Sequence, residues 1–329
     1  MKTFIVVFSL LISTILSACS TPTPPPAAPT QFPPTETPTP FPLVFEPTLI
    51  GSITKADGKA LNLPTDMAFD QDGDVYIVDS FPQRIIQFDA SGNFLLAWGG
   101  KGTGEGQFNF VDAGDGYGGV AVDSQGRVYV ADTHNARIQI FTSDGIFLSQ
   151  WNESGQFQEP LGIIVDQQGN VYVSDYGRDD IQKFDSNGKL LLTWGGPGTG
   201  DGQFNDQSYL AIDVEGNIYV ADTFNDRIQK FDSDGQFITT WGKTGFKEGG
   251  FNRPYGVAVD SAGNVYVAEY KGNRIQVFDP VGNFLYMWGS YGSDEQSLSA
   301  PSGLKVNQNG IAYVADYHND RVQIFQVFR

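Results

Sequence analysis

The chain has 329 residues, 40% of them hydrophobic and 18% charged, a globular balance that is neither disordered nor collagen-like. Lys and Arg total 20 against 38 Asp and Glu, and a formal net charge of -18 repels phosphate backbones, which argues against general nucleic-acid binding. One cysteine and two histidines rule out an intrachain disulfide, a Cys-rich zinc site and any centre built on three histidines.

Met1-Lys2 is a short positive segment, and Phe4 to Leu16 is an apolar stretch too short to span a bilayer comfortably. Leu16-Ser17-Ala18-Cys19 follows. Small residues before a cysteine resemble a bacterial lipobox, where a signal peptidase cuts and the new N-terminal cysteine carries lipid. The only cysteine of the chain stands at the one position where lipidation needs it. Residues 1–18 are therefore expected to be a lipoprotein signal peptide and Cys19 the lipidation site. Acyl chains add about 0.8 kcal/mol per buried CH₂, so several on one cysteine anchor it stably. Beyond Cys19, residues 20–42 are almost all Pro, Thr, Ala and Ser; they cannot bury a core and favour extended polyproline II. Residues 19–42 read as a lipidated stalk. The expected location is the cell envelope, on the extracytoplasmic side of a bacterial membrane touched through the lipid alone.

From residue 43 onward the chain repeats. Gly73, Gly126, Gly169, Gly216, Gly263 and Gly310 are each followed three residues later by a tyrosine, Tyr76, Tyr129, Tyr172, Tyr219, Tyr266 and Tyr313. Three further on stands an acid: Asp79, Asp132, Asp175, Asp222, Glu269 and Asp316. Five beyond it comes an arginine in every unit but the third, where Asp180 stands. All five tryptophans share one later column. The acids are spaced 53, 43, 47, 47 and 47 residues apart. Each unit reads as four short strands, in the fifth roughly 255–260, 264–269, 274–279 and 283–288, joined by turns with the Asp and Gly that tight turns require. Runs such as Val-Tyr-Val-Ala are apolar at nearly every position, so both faces of the strand should be buried. Four-stranded sheets packed face to face around an axis meet that demand, predicting an all-β, six-bladed β-propeller over residues 43–329.

The unit Pro-Tyr-Gly-Val-Ala-Val-Asp … Gly-Asn-Val-Tyr-Val-Ala-Glu … Asn-Arg-Ile-Gln-Val-Phe-Asp … Trp-Gly resembles the NHL repeat. The resemblance implies a six-bladed propeller that binds protein or RNA in many relatives and carries lyase or hydrolase chemistry in fewer. The negative charge disfavours RNA. The sixth unit reaches Arg329 without a Trp-Gly strand, while 43–53 precedes the first complete unit. Aligning Ile50-Gly51 with Trp98-Gly99 makes this segment the outer strand of the last blade, closing the ring and removing an exposed sheet edge.

Repetition of the acid–arginine pair in nearly every unit points to architecture, since an active site needs asymmetry. Gly-rich runs such as Trp98-Gly-Gly-Lys-Gly-Thr-Gly lack the Gly-Lys-Ser/Thr end of a phosphate loop and recur as connectors between units. Asp70-Gln-Asp-Gly-Asp74 offers carboxylates to calcium but lacks the twelve-residue frame and distal Glu of an EF-hand. His134 and His318 occupy equivalent turns and find no further zinc ligands nearby in sequence. No catalytic residue, metal ligand or cofactor is therefore assigned, calcium being the one ion considered. Lactonase-like propellers place acids and Asn around a central calcium. The corresponding column here, Asp66, Gly119, Gly162, Tyr209, Gly256 and Gly303, holds a single carboxylate.

The expected function is that of a monomeric extracytoplasmic binding or scaffolding module rather than an enzyme. The alternative is a lactonase- or lyase-like propeller with a metal in its central channel. Candidate ligand contacts fall in three groups. Asp66, Tyr209 and Lys305 fall on the innermost strands, and Lys305, which stands where four other units have alanine, either reaches the channel or pairs with an acid such as Asp66. Phe81, Tyr176, Phe224, Tyr270 and Tyr317 are large residues in the turns between second and third strands. Asp112 and Asp115 lie in the insertion that lengthens the first spacing, and a symmetry-breaking insertion suits a specific site. Aromatic anchors on an otherwise acidic rim would suit an envelope or extracellular protein, a peptide, a glycan or a cationic partner.

Overall fold

Five second strands, from Val75–Asp79 to Val265–Glu269, are buried at every position, so each is covered on both faces, as their unbroken apolar pattern requires. The computed structural model describes residues 46–153 and 155–328; Cys19 and the expected signal peptide and stalk lie outside them. The described residues form six four-stranded antiparallel sheets and two short two-stranded ribbons. In the fifth blade the strands are Pro254–Val259, Val265–Glu269, Arg274–Phe278 and Phe284–Trp288, within one residue of expectation at each end. First strands lie innermost. Their approach is so close that a Cβ on Gly162 would lie 2.7 Å from the Ser208 carbonyl oxygen of the next blade.

The repeated columns are accounted for by recurring contacts. Asp166 Oδ1 accepts the N–H groups of Gln168 and Asn170, and Oδ2 accepts the Tyr172 hydroxyl at 3.2 Å. One carboxylate thus holds the turn and satisfies the buried tyrosine, and Asp213–Tyr219 and Asp260–Tyr266 repeat the contact. Asp70 does the same for Asp72, Asp74 and Tyr76, so its carboxylate serves a turn. The tryptophans join neighbouring blades. Gly235, at φ +74°, sits against the Trp194 ring of the preceding blade, where a Cβ would come within 2.8 Å.

The acid–arginine column is buried. Asp222 Oδ2 accepts Arg227 Nε at 2.7 Å and Gln229 Nε2 at 3.0 Å, while Oδ1 accepts the Asn205 N–H at 2.9 Å. The far end of Arg227 donates to the carbonyls of Thr199, Gly200 and Gln203 in the Gly-rich connector. Asp132–Arg137, Glu269–Arg274 and Asp316–Arg321 repeat the arrangement. Burial pushes the Asp222 carboxyl up, against the Asn225 amide and the Arg227 guanidinium, which hold it down. The third blade, which lacks the arginine, restores a pair locally: Arg178 Nε lies 2.9 Å from Asp180 Oδ2.

The sixth sheet is closed by Thr48–Ile53, which pairs antiparallel with Arg321–Gln326. Its register differs from the sequence alignment. Ile53 pairs with Val322, as Trp98 pairs with Ile85 and Trp288 with Ile275, so Ile53 rather than Ile50 takes the tryptophan position. Ile50 is 54% exposed. The irregularity between Leu49 and Gly51 is the bulge that Phe94 and Leu96 form in the first blade, and the ribbon Lys55–Ala56/Lys59–Ala60 follows this strand directly.

Deleting residues 43–53 leaves the Arg321–Gln326 strand as a bare edge and should lower the melting temperature by about 10 °C or more; unchanged thermal unfolding would sink the closure. Arg227→Met leaves Asp222 buried and unpaired and should cost about 3–5 kcal/mol in urea unfolding. A midpoint equal to wild type would show that the connector does not depend on the pair.

Candidate functional site

Second-to-third turns and the connectors into each first strand emerge on one face of the ring. The turn residues fall into two adjacent columns that point in different directions. The residue after the acid turns inward: Ser80, Thr133, Thr223 and Tyr317 are at most 2% exposed, with Tyr176 and Tyr270 half-buried in the same column. The next residue turns outward, leaving Phe81 55% and Phe224 42% exposed. The sequence expectation grouped these five aromatics together. The structure brings Tyr176, Phe224, Tyr270 and Tyr317 to one cavity of about 300 Å³ and leaves Phe81 outside its lining.

The insertion after the first blade forms a ribbon, Val111–Asp112 against Asp115–Gly116, with Asp112 opposite Asp115. It is tied down at its base. The Ser80 hydroxyl donates to the Tyr117 carbonyl at 2.8 Å, and the Gly116 N–H donates to the Tyr317 hydroxyl. Gly116 lies so close to Ser80 that a Cβ would come within 2.8 Å of its side chain. The ribbon thereby covers the small-residue turn of the first blade and brings Asp115 and Tyr117 into the cavity wall.

Tyr255, the residue after Pro254, completes the wall. Its ring lies 5.5 Å from Tyr270 at 39°, and Tyr270 lies 6.0 Å from Tyr317 at 51°, so the rings form a bowl rather than a parallel slot. Burial, with the Asp115 carboxylate nearby, pushes the Tyr270 hydroxyl up to about 12 and keeps it a neutral donor. The rim is not acidic as expected. Arg253 and Lys271 line the cavity beside the single carboxylate of Asp115. The Arg253 guanidinium lies 3.3 Å above the Phe224 ring centre, and Lys271 Nζ lies 4.9 Å from that of Tyr270. These two cations were legible as departures in the fifth unit alone: Lys271 stands where the others have Phe81, His134, Gly177, Phe224 and His318.

Below the bowl, Tyr209 closes the axis. It replaces the glycine of most first strands, is 1% exposed, packs edge-on against Tyr255, and donates its hydroxyl across the ring to the Gly118 carbonyl at 3.0 Å. Asp66 is fully buried; its Oδ2 accepts the Val120 N–H at 3.2 Å, and Lys305 Nζ stands 3.5 Å from Oδ1. Burial raises the Asp66 carboxyl, and the lysine opposes the shift. Asp66 and Lys305 therefore pair with each other. Neither lines the bowl.

A catalytic metal of the kind considered from sequence does not fit these residues. The one carboxylate of the channel column already faces an ammonium. Among the described residues no group of three or more His, Cys, Asp or Glu is placed to hold an ion. His134 packs edge-on against Tyr117 at 5.2 Å, and His318 against Tyr270 at 5.8 Å.

Residues 118–141 and 298–325 match the NHL repeat, and residues 210–290 match the SMP-30/Gluconolactonase/LRE-like region. The chain carries NHL repeats within its six-bladed β-propeller. Over 95 residues this propeller is 39% identical to NHL repeat-containing protein 3 of Homo sapiens and 35% identical to that of Mus musculus. Each match covers 27% of the chain and spans 25% of the relative. Among solved structures, a streptogramin B lyase superposes with a TM-score of 0.58 at 14% identity, over 85% of this chain and 97% of that one. A gluconolactonase from Xanthomonas campestris gives 0.59 at 16% identity, over 81% and 86%. At these identities the likeness is one of fold.

Proposed function

We propose that this NHL propeller is a ligand-capture module held outside a bacterial membrane by lipid on Cys19, with the axial bowl as its binding site. The observation that carries the reading is the convergence of aromatic side chains from five different blades on one cavity, beside the ribbon inserted after the first blade. Sixfold architecture has no need of either. Concave, mostly aromatic walls with a few placed polar groups are the common form of small-ligand sites. The Pro/Thr stalk would hold the bowl away from the lipid surface, and the plug at Tyr209 makes it a blind pocket rather than a pore.

The lyase and gluconolactonase among the fold neighbours raise the enzyme alternative, which turnover by the purified protein would establish. Binding without turnover is the simpler use of these residues.

Phe224→Ala, Tyr270→Ala and removal of residues 112–115 should each weaken capture of the partner recovered from envelope extracts by about tenfold while circular dichroism stays unchanged. If all three variants capture at the wild-type level, the binding face lies elsewhere. Cys19→Ala should abolish fatty-acid labelling and release the protein from the membrane fraction; a variant still labelled and sedimenting would refute the anchor.

A further inference from the structure

Arginine in this protein is almost wholly committed to carboxylates. Of the eight arginines among the described residues, seven are ion-paired: Arg84, Arg127, Arg137, Arg178, Arg227, Arg274 and Arg321. The eighth is Arg253, at the bowl. The nearest use of an acid at this point is by its backbone: Asp226 Oδ1 accepts the Arg253 N–H at 2.8 Å, and Asp226 Oδ2 accepts the Thr244 hydroxyl. The guanidinium is directed instead over Phe224, a contact that occupies its face and leaves its N–H edge available. Lys271 likewise forms no ion pair among the described residues and lies beside the neighbouring ring, Tyr270. Two cations without carboxylate partners, in a chain with nearly twice as many acids as bases, mark where an incoming anion is stabilised.

The remaining walls narrow the class. Tilted rings offer a bowl to the C–H face of a chair-shaped ring, whereas a flat aromatic ligand favours a parallel slot. Tyrosine hydroxyls and the exposed Asp115 carboxylate supply donors and an acceptor suited to vicinal hydroxyl groups. A volume of about 300 Å³ stands at the lower end of small-ligand sites and suits a chain terminus rather than a long segment. Resting on the reading of the bowl as the binding site, we infer that its ligand is an acidic saccharide. The uronic-acid carboxylate meets Arg253 and Lys271, the sugar ring lies on Phe224 and Tyr270, and hydroxyls reach Asp115.

The test is calorimetric titration of the full-length protein in detergent with four probes: digalacturonic acid, its dimethyl ester, 3-phenylpropionate and acetate. The acid should bind roughly tenfold or more tightly than its ester, and Arg253→Gln and Lys271→Gln should each pull it toward the ester while leaving ester binding unchanged. Asp115→Asn should weaken both sugars. Equal affinity for acid and ester, absence of acid binding, or tighter binding of 3-phenylpropionate or acetate overturns the assignment. Acid binding that is lost in Phe224→Ala but indifferent to both Arg253→Gln and Lys271→Gln would overturn the acidic-sugar inference while leaving the bowl as a ligand site. Sugar binding untouched by Phe224→Ala would remove the bowl itself.

Discussion

A buried carboxylate shared between a turn and an arginine organises this ring. In the fourth blade, Asp222 holds Arg227 and Gln229 with one oxygen and the Asn205 backbone with the other, and Arg227 spends its outer nitrogens on connector carbonyls. The connectors have reason to need it. They are glycine-rich, and the guanidinium adds donors to connector carbonyls that have few side-chain partners of their own. The pair costs desolvation of two charges, offset by the density of hydrogen bonds that each charge receives. A Gly-rich connector thus becomes a fixed rim, and the turns that face the axis are held at defined distances from one another.

Against that regular frame, the departures accumulate on one face. The ribbon at Val111–Gly116 covers the first blade, Tyr209 closes the axis where most first strands carry glycine, and the fifth blade contributes Arg253, Tyr255 and Lys271 together. Small residues in the inward turn column matter as much as large ones. Thr223 lines the bowl beside Tyr176, Tyr270 and Tyr317, so a small residue among large ones in a single column shapes its wall. Its electrostatics run opposite to those of the chain. A net charge of -18 describes a chain in which seven of the eight described arginines are ion-paired, and the eighth, Arg253, stands at the cavity with Lys271.

The fold neighbours include proteins named for lyase and lactonase chemistry, yet the channel here is filled by a tyrosine and a lysine–carboxylate pair. A propeller fold serves many functions, and the residues on its inward strands and turns distinguish one such protein from another. In this chain the floor is closed, and the polar groups have moved outward to the bowl.

The sequence determined by itself the number of blades, the four strands of each, the turn chemistry and the participation of a strand before the first repeat. All of these follow from short-range periodicity and columns that recur six times, so each blade repeats the same information. It also exposed the candidates Tyr176, Phe224, Tyr270, Tyr317 and Asp115 as departures from repetition. Tertiary structure alone decided the rest. The closing strand's register depended on which residue faced Val322 across a gap of more than two hundred residues, and it shifted by three from the sequence alignment. Phe81 and Phe224 share a column but not a cavity, because Arg253 from the next blade covers only Phe224. Of the two fates the sequence left to Lys305, the structure chose pairing with Asp66 on the neighbouring blade around the ring. Each of these depends on contacts between blades, and a repeat read along the chain carries no record of which side chains meet across the axis.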